Sequence, residues 1–335
     1  FCKKNIEIIL YTGKVEKTYT DIDKSVRIKF LKKYNRSNSF FRIYTWLLFY
    51  IQTIFLLLFD LNTKTKLYLS SNPPFTPFIN LFFKNKSVVH IYDVYPDALL
   101  ASKSFNQKSL IYKFFSYLNK KSFEKTLHVY TPSEGMRAML SKYVNKNKIT
   151  VVNWWSDSHF IKPIKKCHNN FLKKLNIQEK FIVLYSGNFG FTHNIEKILN
   201  TSLFFKHEKD LVFVLIGDGP KKKIVDNFQK ANKLKNLIVL PFQKSEVLPF
   251  SISCGDISVI LDSFSATDKK ISTASIPSKT YYYLSSGSAI YAETDKTSEL
   301  SQLIQKNDIG LADQNNEITN FINYIKKYKK SEIVL

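Results

Sequence analysis

Short apolar runs alternate with stretches of helical spacing along most of the chain. Strand-like runs occur at residues 6–11, 66–70, 88–92 and 127–130, and helical patterns lie between them at 40–59, 110–124 and 133–142. The second half repeats this alternation from residue 181 to 328. Because strands that alternate with helices pair in parallel, the pattern predicts an α/β fold with parallel sheets covered by helices on both faces.

The length of the chain predicts two domains, since 335 residues exceed what one hydrophobic core usually supports. Residues 153–176 are rich in lysine, asparagine and other polar residues. We therefore expect one domain at 1–152, a linker at 153–176 and a second domain at 177–330.

The apolar stretch at residues 43–59 has three interpretations. It is interrupted only by Thr45, Gln52 and Thr53, and no acidic residue occurs between Asp23 and Asp60. It is preceded by the basic residues Lys29, Lys32, Lys33, Arg36 and Arg42. The stretch is short for a membrane-spanning helix, which needs about 20 apolar residues. A helix in the surface of an anionic leaflet is favoured narrowly over an ordinary buried helix.

The charge balance indicates an anionic partner. Fifty Lys and Arg residues against 27 Asp and Glu residues give a net charge of +23, which suits nucleic acid or an acidic membrane face. No zinc-ligand spacing, RNA-binding aromatic signature or helix-turn-helix pattern is present, so we expect no nucleic-acid partner. The scattered cysteines Cys2, Cys167 and Cys254 are typical of reduced thiols in a cytoplasmic protein.

Two turns in the second half are candidates for phosphate binding. The apolar run at residues 181–186 leads directly into Gly187, Asn188, Phe189 and Gly190, and a helical pattern follows. Such strand–glycine turn–helix units let backbone N–H groups approach phosphate oxygens. A second apolar run at 211–216 ends in the sequence Gly-Asp-Gly-Pro, at the edge where open parallel sheets bind ligands.

The segment at residues 276–290 predicts a loop, a short helix and a strand. Pro277 suits a first helical turn and Gly287 suits a helix end. Ser278 and Lys279 then lie at the helix N-terminus, where free N–H groups and the helix dipole favour an anion. The alternative is a capped surface helix that carries an unrelated lysine.

A series of motifs follows one another along nearly the whole chain. They are Asp93-Val94-Tyr95-Pro96-Asp97, Val151-Val152-Asn153-Trp154-Trp155, Tyr185-Ser186-Gly187-Asn188-Phe189-Gly190, Ile216-Gly217-Asp218-Gly219-Pro220, Pro277-Ser278-Lys279, Leu284-Ser285-Ser286-Gly287, Ser298-Glu299-Leu300 and Asp308-Ile309-Gly310-Leu311. In this order they resemble glycosyltransferase family 4, near its colanic acid and L-fucosamine transferase-like branch of bacterial polysaccharide assembly.

The resemblance implies a GT-B fold, in which two Rossmann-like domains face a cleft. The first domain would bind the acceptor and the second the nucleotide sugar. No metal or other cofactor is expected, since backbone N–H groups and a protein cation would hold the diphosphate. Asp21-Ile22-Asp23 is interpreted as a surface turn. The expected donor-binding residues are Gly187, Asn188, Gly190, Ser278, Lys279, Ser298 and Glu299.

Asp93 and Asp97 are the expected catalytic carboxylates of the first domain. They follow the apolar run at 88–92, and the resemblance favours a role in binding the acceptor or the sugar, foremost for Asp93. The alternative is that Asp93 caps a turn before Pro96.

The chain departs from the family pattern at three places. Tyr282 stands where many relatives have a ribose-binding Glu, and Ala274 where they have the first Glu of that pair. Phe191, Thr192 and His193 follow the glycine turn where many relatives have Arg or Lys. Lys279 would then be the main cation on the donor phosphates. A first strand and a glycine-rich acceptor loop precede residue 1 in the family, so we expect the start of the first domain to be missing.

The sequence thus predicts a retaining glycosyltransferase on the inner, cytoplasmic face of the plasma membrane. It would move a sugar from a nucleotide donor, UDP-linked by expectation, to a lipid-linked saccharide in the assembly of capsule, O-antigen or exopolysaccharide. The expected partners are the donor, the acceptor and an anionic membrane surface. A non-catalytic membrane-binding protein and a UDP-sugar epimerase are the alternatives.

Overall fold

The computed structural model describes residues 6–13, 23–35, 39–101, 106–191, 193–261, 273–314 and 317–330. The chain divides into two compact units, which we call unit 1 and unit 2. Unit 1 comprises Phe1–Thr131 and Arg137–Val151, and unit 2 comprises Pro132–Met136 and Val152–Leu335. The residues expected to form a linker, 153–176, fall within unit 2.

The elements alternate as the hydrophobic pattern indicates. The strands are β1 (Ile8–Gly13), β2 (Val26–Leu31), β3 (Leu67–Ser70), β4 (Ser87–His90), β5 (Thr126–Thr131), β6 (Ile149–Val151), β7 (Phe181–Ser186), β8 (Leu211–Ile216), β9 (Leu237–Leu240), β10 (Ile257–Leu261), β11 (Ala289–Glu293) and β12 (Gly310–Asp313). The α-helices are α1 (Ser39–Asp60), α2 (Leu110–Lys125), α3 (Glu134–Leu140), α4 (Asn170–Leu175), α5 (Ile195–Phe204), α6 (Lys222–Asn232), α7 (Leu248–Ile252), α8 (Lys279–Ser286), α9 (Glu299–Asn307) and α10 (Ile318–Lys330). Short 3-10 helices occur at Thr76–Leu81, Asp97–Ala101, Lys146–Lys148 and Lys166–His168.

The described strands of unit 1 form two parallel sheets. One contains β1 and β2, and the other has the order β3-β4-β5-β6. The sequence pattern did not predict β2, because its basic residues resemble a charged run before the apolar stretch. Its residues Val26, Ile28 and Phe30 alternate with Arg27 and Lys29, which is the period-2 pattern of a strand, and of the three apolar residues Phe30 is 54% exposed.

The 3-10 helix Thr76–Leu81 is the buried centre of unit 1, and α1 and α2 both pack against it. Asn80 is 1% exposed, and its Nδ2 donates to Ser87 Oγ and Thr126 Oγ1, both at 3.1 Å. The ring of Phe75 stacks on Phe115 of α2 with centroids 4.4 Å apart. The Nδ2 of Asn80 also donates to the carbonyl of Ser122 in α2 at 3.0 Å, so one buried amide joins α2 to β4 and β5.

Helix α1 is apolar along its 22 residues, yet most of its surface is exposed. Phe40–Asp60 is long and apolar enough to cross a membrane by length and composition, with 17% of that stretch buried. The hydroxyls of Thr45 and Thr53 donate to the carbonyls of Phe41 and Phe49 one turn earlier, so the polar interruptions are satisfied inside the helix. The interpretation of α1 as an ordinary buried helix is therefore wrong.

The exposed face of α1 is an apolar stripe along the helix, with neighbouring side chains three or four residues apart. Its members are Phe40, Tyr44, Leu47, Ile51, Phe55 and Leu58, each 47–72% exposed. By contrast Leu57, on the opposite face, is 4% exposed. We call these six residues the α1 stripe.

The described strands of unit 2 form one six-stranded parallel sheet in the order β12-β11-β10-β7-β8-β9. Every residue of β8, β10 and β11 is buried, as expected for a parallel sheet covered on both faces. Alternate residues enter two separate hydrophobic clusters. Val183 and Phe213 belong to one cluster, and Leu184 and Val214 to the other.

A buried ionic cluster of Lys197, Glu293 and Asp313 links α5 to the ends of β11 and β12 in unit 2. The Nζ of Lys197 lies 3.1 Å from Glu293 Oε2 and 2.9 Å from Asp313 Oδ2. All three side chains are at most 2% exposed. Asn194 donates to Glu293 at 3.0 Å, and Asn320 of α10 donates to Asp313 at 3.0 Å. The first turn of α5 is thereby fixed at the carboxyl-end edge of the sheet.

Candidate functional site

Two glycine turns meet at the carboxyl ends of β7 and β8. Gly187 has φ +148° and Gly217 has φ +156°, in the region that favours glycine. A Cβ atom on Gly217 would lie 1.8 Å from the carbonyl oxygen of Gly187. The two turns can therefore lie this close together only because position 217 carries no side chain.

Lys279 is the first residue of α8 and lies against the turn after β7. Its Nζ is 4.3 Å from the ring centroid of Tyr185, and a Cβ atom on Gly187 would be 3.1 Å from that Nζ. Ser278 precedes the helix and makes no side-chain capping bond to a described residue, while Gly287 ends the helix with φ +79°. The predicted helix end at Gly287 and the position of Ser278 and Lys279 at the helix N-terminus are confirmed, whereas Pro277 lies before the helix and not in its first turn. The structure brings Lys279 and Gly187 together.

Tyr283 holds α8 against the end of β7. The side chain is fully buried, and its hydroxyl accepts from Ser186 N at 2.9 Å and donates to Ser186 O at 3.2 Å. On the β10 side, the described pairing of β7 covers Val183 and Leu184. The tyrosine hydroxyl therefore satisfies the backbone groups that a neighbouring strand would otherwise pair, directly before Gly187.

His193 closes the same turn. Its Nδ1 lies 2.8 Å from the carbonyl oxygen of Asn188 and 2.7 Å from the hydroxyl of Tyr185. Burial lowers the pKa of this imidazole, and the nearby charges of Lys279 and Lys221 lower it further. Asn188 is exposed, and Gly190 is buried, where its carbonyl accepts from His193 N at 3.1 Å.

These groups suit an anion. Lys279 supplies a positive charge at a helix N-terminus. The turn after β7 lets backbone groups approach a ligand closely, because positions 187 and 190 carry no side chain. Helix N-termini and glycine turns are the usual phosphate-binding elements of parallel α/β sheets.

Ser298 and Glu299 are both occupied by protein groups. The hydroxyl of Ser298 accepts from Ser301 N at 3.0 Å, which caps α9. The carboxylate of Glu299 accepts from the N–H groups of Gly135 and Glu134, the latter at 3.2 Å. Glu299 thus stabilises the start of α3, within the part of that helix that belongs to unit 2. Sequence reasoning missed this contact, since the partners are 164 and 165 residues apart.

Tyr282 and Ala274 are two of the positions that depart from the family pattern. Tyr282 is 37% exposed and Ala274 is 5% exposed. The carbonyl of Ala274 accepts a hydrogen bond from Ser133 Oγ, at the residue before α3. Thr192, Asp21 and Ile22 lie outside the described residues.

Asp93 lies in unit 1, just after β4, and remains exposed. Desolvation by the surrounding residues raises the pKa of its carboxyl. Its backbone N–H and that of Tyr92 donate to Ser71 Oγ at 3.3 and 2.8 Å. Within the described residues the carboxylate makes no hydrogen bond, so the structure gives no support to a turn-capping role.

Asp97 is 3% exposed and its carboxylate is fully engaged. It accepts from Tyr112 Oη at 2.9 Å, from Tyr143 Oη at 2.6 Å and from Lys142 Nζ. Burial and the bond to Asp97 raise the pKa of Tyr143. These contacts favour a structural role for Asp97 and leave Asp93 as the accessible carboxylate of the pair.

No group of three or more His, Cys, Asp or Glu side chains that could hold a metal ion occurs among the described residues. The buried carboxylates of Glu293 and Asp313 already bind Lys197.

The sequence matches curated glycosyltransferases over about two thirds of its length. It is 23% identical over 233 residues to the probable glycosyltransferase WbjE of Pseudomonas aeruginosa, covering 67% of this chain and 55% of that protein. It is 25% identical over 230 residues to the putative colanic acid biosynthesis glycosyl transferase WcaI of Escherichia coli K12, covering 66% and 54%. The matched region is thus about half the length of these relatives. No protein-family model matches the sequence.

The fold matches solved glycosyltransferase structures over nearly the whole chain. WaaG, a glycosyltransferase involved in lipopolysaccharide biosynthesis, superposes with a TM-score of 0.69 at 9% identity, covering 98% of this chain and 84% of that one. Anabaena Alr3699/HepE in complex with UDP-glucose superposes with a TM-score of 0.64 at 11% identity, covering 96% and 89%. The chain therefore has the GT-B fold, and its sequence matches glycosyltransferases of polysaccharide biosynthesis, consistent with the family 4 resemblance of its motifs.

Proposed function

We propose that this chain is a retaining glycosyltransferase of surface polysaccharide assembly. It takes a sugar from a UDP-linked donor and passes it to a lipid-linked saccharide on the cytoplasmic face of the membrane. No metal or other cofactor takes part in the proposed reaction, and no nucleic acid is a partner.

The observation that carries the proposal is the position of Lys279 beside Gly187. When the bond between sugar and diphosphate breaks, negative charge develops on the leaving diphosphate. A fixed cation and backbone N–H groups stabilise that charge without reorganisation, and electrostatic stabilisation of this kind supplies much of the rate enhancement in many enzymes. Lys279 and the turns at Gly187 and Gly217 are proposed to perform this task.

UDP is proposed as the nucleotide because the fold superposes well on Alr3699/HepE, which was solved with UDP-glucose. At the position of the family's ribose-binding Glu this chain has Tyr282, which carries no carboxylate. Glu299 is the remaining carboxylate candidate in unit 2, and ribose binding would require it to leave the N-terminus of α3.

Asp93 is proposed as the group of unit 1 that binds the acceptor or the transferred sugar. Its carboxylate is exposed and makes no hydrogen bond within the described residues, so it is available to a hydroxyl group. The raised pKa of this carboxyl suits a group that accepts a proton during transfer. Asp97 is proposed to hold this part of unit 1 in place.

The membrane partner is proposed from the α1 stripe and from a second exposed apolar face on α2. Leu110, Ile111, Phe114 and Tyr117 of α2 are 57–83% exposed. Lysines lie beside both faces, at Lys32 and Lys33 before α1 and at Lys113, Lys120 and Lys121 of α2. Apolar side chains with neighbouring lysines suit the surface of an anionic leaflet, where a lipid-linked acceptor would also be found.

One observation favours a second candidate, a non-catalytic membrane-binding protein. Tyr282 replaces a carboxylate that binds ribose in many relatives, and Glu299 is engaged elsewhere. Such a protein would keep the α1 stripe and its lipid affinity but would not turn over a nucleotide sugar.

The test is transfer of labelled sugar from UDP-glucose, UDP-galactose or UDP-N-acetylglucosamine to lipids of bacterial membranes added to the purified protein, with GDP-mannose as the competing donor. Label that enters the lipid fraction from a UDP-sugar, with the anomeric configuration of the donor retained, supports the proposal, whereas transfer from GDP-mannose alone would contradict the UDP-linked donor. Asp93→Asn should abolish transfer while leaving UDP binding unchanged. UDP binding without transfer to any membrane preparation, together with wild-type vesicle binding, would instead identify the non-catalytic protein.

A further inference from the structure

The imidazole of His193 is held by one ring nitrogen only, as far as the described residues show. Its Nδ1 contacts the carbonyl oxygen of Asn188 at 2.8 Å and the hydroxyl of Tyr185 at 2.7 Å. The same hydroxyl donates to the Asn188 carbonyl at 2.8 Å. Among the described residues no group bonds to Nε2, so this atom is the one left for a ligand.

These contacts fix the tautomer. A carbonyl oxygen can only accept, so Nδ1 must carry the hydrogen that points to Asn188. The proton of Tyr185 is itself given to the Asn188 carbonyl, so it does not compete for Nδ1. Neutral His193 therefore has a hydrogen on Nδ1 and a bare lone pair on Nε2. A lone pair repels a phosphate oxygen, whereas a protonated Nε2 would donate to it.

The charged groups around His193 oppose that second proton while no anion is bound. The Nζ of Lys279 in α8 lies 4.3 Å from the ring centroid of Tyr185, whose hydroxyl contacts His193 Nδ1. Lys221 donates to the backbone carbonyl of His193 at 2.8 Å and also binds Glu196 at 2.8 Å, so its charge is partly balanced. Burial and both lysines lower the pKa of His193. An anion between Lys279 and His193 would reverse the lysine contribution.

We propose that His193 takes up one proton at Nε2 when the diphosphate of a nucleotide sugar binds, and that the imidazolium then shares the diphosphate with Lys279. The proton comes from the solvent buffer, and no covalent bond between heavy atoms changes. The inference rests on the proposed function, because it places the donor phosphates at the turn after β7. It adds to that function a binding residue that supplies its charge only when the donor is present.

Binding should depend on pH with a defined sign. The pKa of His193 is low in the free protein and higher in the complex. Affinity is therefore greatest at low pH and falls as pH rises between these two values, by up to about tenfold per pH unit. Above the higher value the imidazole stays neutral in both states and affinity no longer changes with pH.

The first experiment is calorimetry with UDP-glucose in buffers of different ionisation enthalpy at one pH. The phosphates of UDP-glucose do not titrate near neutral pH, so they do not contribute protons. We expect a net uptake approaching one proton per UDP-glucose in the wild-type protein and none in His193→Gln. His207→Gln, at an exposed histidine beyond α5, should keep the wild-type uptake.

The second experiment is long-range ¹⁵N NMR of the histidine side chains. The free protein should show His193 with hydrogen on Nδ1, and saturating UDP-glucose should convert it to the imidazolium. Wild-type binding with no proton uptake, or equal uptake in His193→Gln, would overturn the inference while leaving the donor site intact. Failure of the wild-type protein to bind UDP-glucose, UDP or GDP-mannose would overturn both the inference and the proposed function.

Discussion

The two units use the same alternation of strand and helix but distribute their apolar side chains differently. In unit 2, three strands are buried at every position and the apolar residues enter two clusters on the faces of one sheet. In unit 1, the described strands form two separate sheets, and α1 and α2 expose most of their large apolar side chains. The comparison indicates that unit 2 buries its apolar side chains against its own sheet, whereas unit 1 leaves apolar surface exposed, which the proposed membrane contact would cover.

The units also differ in where they place charge. Unit 2 buries Lys197 with two carboxylates and holds Lys279 against a glycine turn. In unit 1, Lys29 and its partner Asp60 are 35% and 17% exposed. We therefore expect replacement of a buried or ligand-facing lysine of unit 2 to have a larger effect than replacement of Lys29. For membrane binding we expect the reverse, with larger effects from exposed apolar side chains of unit 1 than from those of unit 2.

The largest expected effect follows from removing the α1 stripe. Leu47, Ile51 and Phe55 replaced together by Ser should weaken binding to anionic vesicles by about 4.5–9 kcal/mol, since burial of each side chain contributes about 1.5–3 kcal/mol. Sedimentation with vesicles of phosphatidylglycerol measures this. Phe204→Ser, an equally exposed aromatic residue of unit 2, serves as the matched control and should bind as the wild type does. Equal loss in both variants would break the comparison between the units.

The next effect concerns the ionic cluster of unit 2. Lys197→Met leaves Glu293 and Asp313 facing each other without a cation, and loss of one partner from a buried ion pair costs about 3–5 kcal/mol. Urea denaturation should show this as a lower midpoint. Lys222→Met breaks a surface pair with Asp226 on α6 and should cost about 0.5 kcal/mol or less. Equal midpoints for the two variants would mean that the cluster contributes no more than a surface pair.

A smaller effect is expected at the donor site. Lys279→Ala should weaken binding of UDP by about 1.5–3 kcal/mol, the range for a hydrogen bond to a charged group. Isothermal calorimetry measures the change, with Lys306→Ala at the far end of α9 as control. If UDP binds both variants equally well, Lys279 is not part of the phosphate site.

The smallest effect is expected at the end of α1. Hydrogen bonds from Lys29 and Tyr11 lower the pKa of Asp60, so this carboxylate binds a proton less readily in the folded state. Its stabilisation is present above the ordinary Asp pKa and is lost as pH falls through the lower folded value. Asp60→Asn should cost about 0.5–1 kcal/mol at pH 7 and flatten the loss of stability in acid. The urea midpoints of the wild type and of Asp60→Asn are measured at pH 7 and at pH 3. An equal decrease of the midpoint from pH 7 to pH 3 in both proteins would contradict this prediction.

Local pattern was enough to predict the elements that form the candidate site. The apolar run at 181–186 with its glycine turn adopts a conformation that its neighbouring residues determine. The same holds for α8, which Pro277 precedes and Gly287 ends. For the same reason the position of α1 was predicted. The local pattern did not reveal which face of α1 is exposed, because apolar residues occur all around the helix. Trp46, Phe49 and Leu57 are as apolar as the α1 stripe, yet Leu57 is buried.

Contacts between distant residues could not be predicted in this way. Lys197 and Asp313 are separated by 116 residues, and nothing near either residue signals the other. Glu299 was expected at a donor and holds the start of α3, while Asp97 was expected at an acceptor and binds two tyrosines and a lysine. A carboxylate carries the same sequence signal whether it binds a ligand or a protein group.

The hydroxyl of Tyr283, bound to both backbone groups of Ser186, has a consequence for the energetics of donor binding. It ties the helix that carries Lys279 to the strand that leads into Gly187, so cation and turn cannot move apart independently. The conformational entropy of aligning them is lost when unit 2 folds and not when the nucleotide arrives. Tyr283→Phe would return that cost to the binding step, because the donor would then have to order the lysine as it binds.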